Sequence, residues 1–405
     1  MTVHIIGGGM AGLAAAVACA ARGRPVVVYE ASPHLGGRCR SYRHPLLGLL
    51  DNGTHAVLAN NHAVQAYLRQ IGAQDRLRTY GQDGLPFVDL RTGARWRLQV
   101  PHALWSTAAR PPGTTLCDVL AGLRLVLPGH ANAKARLQPS PETQAAIWEP
   151  LCVAALNTPL DEADAMLLAR VALRMLLPSG LARGLLLPRI SLDDTYVNAA
   201  ETWLAARGVT VRRRALLRDV ESTPTRLTRL LFDGTNVELD EADRVVLAVP
   251  PWTPILTQIG LDAGALRSAA ILNVHFKLGH PQSQPRFIGM IGGASQWLLL
   301  RDSIATVTVS AAENWMAHPA ADLAAHIWRE IAPIVGQDRI PPAYHIVKER
   351  RATLRHVPGC HRHRPGPRTR LANVFLAGDW VDSGLPCTLE SAVRSGLAVA
   401  AICTI

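Results

Sequence analysis

Hydrophobic and polar positions alternate with two different periods along the chain, and the changes of period divide it into segments. Val3 to Ile6 is a short apolar run of strand length, and residues 10–20 form an Ala-rich stretch whose small side chains let a helix lie close on a sheet. Val26 to Tyr29 then repeats the strand pattern. Residues 61–72 carry helical spacing, and Pro86 to Val100 reads as a hairpin around Arg91, Thr92 and Gly93. From Pro101 to about residue 185 glycine and strand signals fade and a helical period takes over. A helix to Arg207 follows, with strands at 209–212, 217–220 and 244–249. Further strands are predicted near 271–278, 287–291 and 304–310, with a helix over 320–334. The run from His361 to Arg370, rich in Arg and Pro, reads as a solvated linker before the strand Asn373 to Ala377.

The first strand-to-helix turn holds Gly7, Gly9 and Gly12 at the spacing of a dinucleotide-binding fingerprint. Gly7 permits the turn, Gly9 clears room for a diphosphate at the helix N-terminus beside Met10 and Ala11, and Gly12 lets helix and strand pack closely. Glu30 ends the second strand about twenty residues later, where a carboxylate can accept from both ribose hydroxyls. A Gly-rich loop with a solvated Glu is the bland alternative, and the surrounding strand–turn–helix–strand context argues against it.

Composition narrows the reading. A chain of 405 residues that is 48% hydrophobic has material for a large core. The net charge of +11 invites a nucleic-acid partner, yet Lys occurs only at 134, 277 and 348. The remaining basic residues are scattered Arg without aromatic interleaving, so nucleic acid is set aside. The seven cysteines form no CxxC pair, which points to reduced thiols in a cytoplasmic protein and to no metal site. No stretch of eighteen uncharged apolar residues exists, so no spanning helix is expected.

Beyond Glu30 and Ala31 the chain continues to Gly36, Gly37 and Arg38, and there it resembles the amine oxidase and phytoene desaturase superfamily of flavoproteins. The resemblance implies FAD, with Arg38 along the diphosphate. Asn373 to Trp380 resembles the second flavin motif, implying that Asp379, after Gly378, holds the ribityl chain. The helix starting at Pro386, Cys387, Thr388 and Leu389 would point at the flavin ring. By the same resemblance Asn52, Gly53 and Thr54 run past the ring, Leu217 offers backbone groups to the adenine, and Val249 ends a strand near the diphosphate. Where amine oxidases carry a lysine this chain has Asn273, which counts against amine oxidation; Lys277 is a weak substitute on the same face.

Two stretches resemble the squalene-associated branch, the hydroxysqualene dehydroxylases: Pro150-Leu151 with Ala154 to Pro159, and Gly384 to Glu390 with the following Ala-Val-Arg-Ser-Gly. The implied fold class is α/β, a Rossmann-like FAD-binding domain (1–75, 188–255, 361–405) interleaved with an α+β substrate domain (76–187, 256–360) that includes a mainly helical, membrane-facing insert. The implied reaction is reductive dehydroxylation of an isoprenoid lipid. Carotenoid-type desaturation and a lipid-binding protein using FAD only structurally are the alternatives. His55 is the candidate acid, since imidazole titrates near neutrality, and Asp51 either assists it or caps a turn. Asn157 and Thr158 are equally candidates for substrate contact and for a helix cap before Pro159. Arg170, Arg174 and Arg183 among leucines between Met166 and Leu187 suggest peripheral contact with an anionic bilayer. An external reductant would serve the flavin, and no segment is assigned to it.

Overall fold

The computed structural model describes residues 1–99, 106, 107, 110–127, 131–177 and 183–404. Val100, the expected start of the helical block at Pro101, and residues 181 and 182 of the apolar run lie outside them.

Five short parallel strands form one sheet in the spatial order Thr210–Arg213, Val26–Glu30, Val3–Ile6, Arg244–Leu247, Val374–Leu376. Its centre is wholly apolar, with Val3, Ile5 and Val246 fully buried, as expected of strands covered on both faces. The helix Met10–Ala20 fills one side and packs against the C-terminal helix Leu389–Cys403. That contact depends on Gly396, where a Cβ would stand 2.2 Å from the Ala11 carbonyl oxygen. The last strand and the last helix therefore complete the layer begun by the first.

A second, seven-stranded sheet runs Tyr344–Leu354, Ser268–Lys277, Ile304–Ser310, Trp297–Arg301, Arg286–Ile291, Leu85–Asp89, Arg95–Leu98. Because side chains alternate across a strand, its two faces differ sharply. One face, with Leu272, Val274, Phe276, Val307 and Leu298, is sealed by the helix Ala320–Val335 into a purely apolar core. The opposite face carries Asn273, His275, Thr306 and Thr308 beside Leu299 and Phe287. Trp297–Arg301 and the eleven-residue Tyr344–Leu354 are strands that the hydropathy pattern does not isolate. Leu185–Pro188, at the expected end of the helical block, is also a strand.

Helices Glu149–Leu156 and Ala165–Leu176, with the turn at 121–126, make a small helical layer over its own core of Leu125, Trp148, Cys152 and Leu168. Among the described residues no helix is long and apolar enough to cross a membrane.

Candidate functional site

Both ends of the chain converge on the C-terminal edge of the parallel sheet. Gly9 precedes the first helix with nothing within 4 Å of where a Cβ would sit, and no side chain caps the helix N-terminus, which is left bare for an anion. Met10, Ala11 and Gly12 form the first turn behind it. Glu30 accepts from the Gly8 amide at 2.7 Å through one oxygen and from the Ser32 amide at 2.8 Å through the other, which fixes the carboxylate while leaving lone pairs free. Ala215 donates its amide to the Glu30 carbonyl and Arg214 to that of Ser32, bringing the start of the Leu217 strand alongside Glu30 and Ala31.

Arg38 follows the Gly36–Gly37 turn and donates from Nη2 to Asp379 Oδ1 at 2.7 Å; its other guanidinium nitrogen donates to the Ala352 carbonyl. Its side chain keeps 38% of its surface exposed, so the pairing leaves part of the guanidinium free to meet a ligand. The Asp379 pair outweighs the cost of burial and holds the guanidinium firmly charged. A bare helix N-terminus, a strand-end carboxylate with free lone pairs and a partly exposed cation–carboxylate pair fit a flavin dinucleotide. Arg38 would meet its diphosphate and Asp379 a hydroxylated chain.

The Gly378–Asp379 turn is held by a device the sequence disguises. Arg364, in the run expected to be a solvated linker, is 6% exposed, and its guanidinium donates to the carbonyls of Asp379, Trp380, Val381 and Leu385. The run is therefore a structural anchor, because one planar guanidinium can satisfy several converging carbonyls. Trp380 Nε1 donates to the Val249 carbonyl at 2.8 Å, locking this turn to the end of the fourth sheet strand. Thr388 caps the last helix by accepting from Ser391, and its hydroxyl reaches the Pro386 carbonyl. The Cys387 amide donates to His356 Nε2 at 2.9 Å, and its thiol meets the Asp379 carbonyl. Burial pushes that thiol up to about 12 and pulls His356 down to about 3, keeping both neutral.

The candidate chemical groups sit on the segment 51–55. Asp51 is fully engaged, since Oδ1 accepts from Ser41 Oγ and the Leu192 amide while Oδ2 pairs with Arg301 at 2.8 Å. It joins a hairpin to the large sheet, and the turn-organising alternative is the one its contacts support. Asn52 donates to the Arg38 carbonyl and accepts from Asn273, and Thr54 meets the Thr308 hydroxyl at 3.3 Å. A small pocket of about 10 Å³, room for one water, lies here between the 51–55 segment, Leu187, Pro188, Leu192, Leu299, Arg301 and Thr306. His55 is half-buried and lines that pocket. Desolvation, then the nearby Arg38 cation, lowers its pKa from the usual value, against the opposing pull of Asp51.

Asn157 and Thr158 lie elsewhere in role. Asn157 is the left-handed C-cap of its helix; its Nδ2 donates to Thr353 and its Oδ1 accepts from the Ala311 amide at 2.6 Å. Thr158 is fully buried, donating to the Leu156 carbonyl and accepting from the His356 amide. Both are spent on binding the helical layer to the large sheet, so the geometry favours the cap over substrate contact. Lys277, at the far end of its strand, donates to Ser303 Oγ at 2.8 Å. Among the described residues no cluster of His, Cys, Asp and Glu is arranged to hold a metal.

The family model for flavin containing amine oxidoreductases matches residues 10–404. The hydroxysqualene dehydroxylase of Rhodopseudomonas palustris is 39% identical over 98% of this chain and 96% of its own length. The chain belongs to this flavin-containing amine oxidoreductase family. A hydroxysqualene dehydroxylase of Zymomonas mobilis is 35% identical over 97% of this chain and 96% of its own. By contrast, a Synechococcus elongatus protein named "Probable zeta-carotene desaturase" is 22% identical over 98% and 97%. Among solved structures, the cyclohexylamine oxidase of Brevibacterium oxydans superposes with a TM-score of 0.72 at 16% identity, covering 99% of this chain and 98% of that one. It shares the amine oxidoreductase fold.

The residues that sequence patterns miss are His356, Arg364, Thr306 and Thr308. Each acts through a partner distant in the chain, and only the paired Thr-x-Thr on an alternating strand hinted at a polar sheet face.

Proposed function

We propose that this protein is an FAD-dependent hydroxysqualene dehydroxylase, replacing the hydroxyl of hydroxysqualene by hydrogen to give squalene. The observation that carries the reading is that His55 and Thr306 line one small pocket with Leu187, Leu192 and Leu299, and that His55 stands within electrostatic reach of Arg38 and Asp379. Kinship with two hydroxysqualene dehydroxylases across nearly the whole chain supports it.

Bound in reduced form, the flavin supplies the hydride. The protein must bind the alcohol, keep water out and bring a proton to the departing oxygen. Hydroxide is a poor leaving group, so a general acid contributes typically 10²–10⁴-fold, and His55 holds that proton. Its lowered pKa makes it a stronger acid that is less often protonated at neutral pH. Gly7, Gly9, Gly12, Glu30, Arg38, Leu217, Val249, Gly378, Asp379 and the start of the last helix bind the dinucleotide. The leucines of the pocket and the aromatic cluster of Phe87, Phe287 and Trp297 accept the isoprenoid chain.

The protein rests peripherally on an anionic bilayer from the cytoplasmic side, through the helical layer. There Leu123, Val126 and Leu173 are 69%, 57% and 63% exposed, and Arg124 and Arg170 flank them.

Anaerobic incubation of purified protein, reduced FAD and either hydroxysqualene or phytoene tests the assignment. Squalene formation with flavin reoxidation is expected from the first alone. Desaturation of phytoene by the oxidised enzyme would replace this reading by the desaturase one.

A further inference from the structure

The polar face of the large sheet carries a line of imidazoles that cofactor and substrate binding leave without a task. His275 is the direct cross-strand partner of both His345 and Thr306, so the three side chains stand side by side. The His345 ring lies 4.7 Å from that of His44 on the neighbouring hairpin and 6.4 Å from that of His275. His275 Nδ1 is 2.9 Å from Thr306 Oγ1, and Thr306 lines the pocket that holds His55. Burial deepens along this line, from half-buried His44 and His345 to His275 at 1% exposure.

Among the described residues, two buried polar atoms on the line have no partner, the Nε2 of His275 and the hydroxyl of Tyr42, whose ring meets His345 edge-on at 5.8 Å. Such orphans are the positions that ordered water fills in protein interiors. The His275 and His345 rings lie 6.4 Å apart, and among the described residues no hydrogen bond joins them. A relay through the two rings therefore needs a water at their edges.

We propose that His44, His345, His275 and Thr306 form a proton relay from the surface to the pocket of His55. The proposal rests on the dehydroxylation reading. There the C–O bond breaks with its electron pair on oxygen, the carbon takes hydride from the reduced cofactor, and the oxygen leaves as water, so each turnover consumes one proton inside an apolar pocket. A proton accepted at His275 Nε2 releases another from Nδ1 to the Thr306 hydroxyl, which passes its own toward His55. His44 Nδ1 accepts the amides of Leu46 and Leu47, leaving its Nε2 to carry protons. Desolvation, with His345, Arg301 and His44 nearby and Asp51 opposing, pulls His275 down to about 4, so it transmits protons rather than storing them.

The test uses full-length, FAD-loaded protein in single turnover with hydroxysqualene. His345→Phe and His275→Gln should load FAD normally but react roughly 10-fold more slowly or worse, with a larger solvent deuterium effect, and added imidazole should recover part of the His345→Phe rate. A crystal structure should show water on His275 Nε2. Parental rates in both variants, or a dry Nε2, would overturn the relay while leaving dehydroxylation intact. Failure of the parent to convert hydroxysqualene would instead overturn the functional reading.

Discussion

Arg38 Nη2 and Asp379 Oδ1 meet at 2.7 Å across 341 positions of sequence, so the Gly-Gly-Arg turn and the Gly-Asp turn at opposite ends of the chain come together in one place. Removing either partner strands the other charge inside the protein. Asp379→Ala and Arg38→Met should each weaken FAD uptake at least 10-fold, measured by flavin fluorescence on reconstitution. Unchanged affinity in both would separate the pair from the cofactor.

Arg364→Met leaves four carbonyls of the 379–385 turn without their donor. A single unmet buried group costs about 1–3 kcal/mol, so a loss of at least about 3 kcal/mol in urea unfolding is expected, together with release of FAD. A variant as stable as the parent would make the turn self-supporting.

His55→Ala should retain FAD and lower the single-turnover rate of reduced flavin with hydroxysqualene by roughly 10²–10⁴-fold. With its pKa lowered, the parent rate should fall as pH rises from about 6 to 8. A variant rate within about threefold of the parent would move the acid role elsewhere.

Liposome flotation should distinguish the parent from a Leu123→Asp, Leu173→Asp double variant, because both side chains stand in the exposed apolar patch. Leu168, which lies within the sequence segment expected to face lipid, is fully buried and unsuited to the test. Equal recovery on anionic vesicles would remove this surface from the membrane.

Stability should decline on mild acidification. His275 and His356 are held at about 4 and about 3, below the ordinary 6.5, so between pH 6.5 and 4 the unfolded chain binds protons that the folded chain refuses. The slope is about 1.4 kcal/mol per pH unit for each such histidine, fully spent only below the folded values. Urea midpoints at pH 7 and pH 5 measure it, and equal midpoints would contradict the two depressions.

The motifs assigned to the cofactor stand out in the sequence because their residues are local: a glycine turn, a strand-end Glu30 and a Gly–Asp turn each declare themselves within a few positions. Arg364 was misread for the opposite reason. An Arg- and Pro-rich run looks solvated in any window, and only the fold shows four carbonyls converging on it. The edge strand Tyr344–Leu354 was hidden because its half-buried, charge-bearing pattern lacks a clean alternation. Asn157 was legible as a helix end, but its bonds to Ala311 and Thr353 join segments that no period connects.

The Gly396 contact has a bearing on biosynthesis. The sheet begun by Val3–Ile6 gains its fifth strand only at Val374–Leu376, and the first helix gains its partner only at Leu389–Cys403. A ribosome delivering this chain N-terminus first therefore releases almost the entire polypeptide before the nucleotide cradle can close. Until Leu389–Cys403 follows, the apolar first helix lacks the partner that makes its most extensive contact in the folded chain.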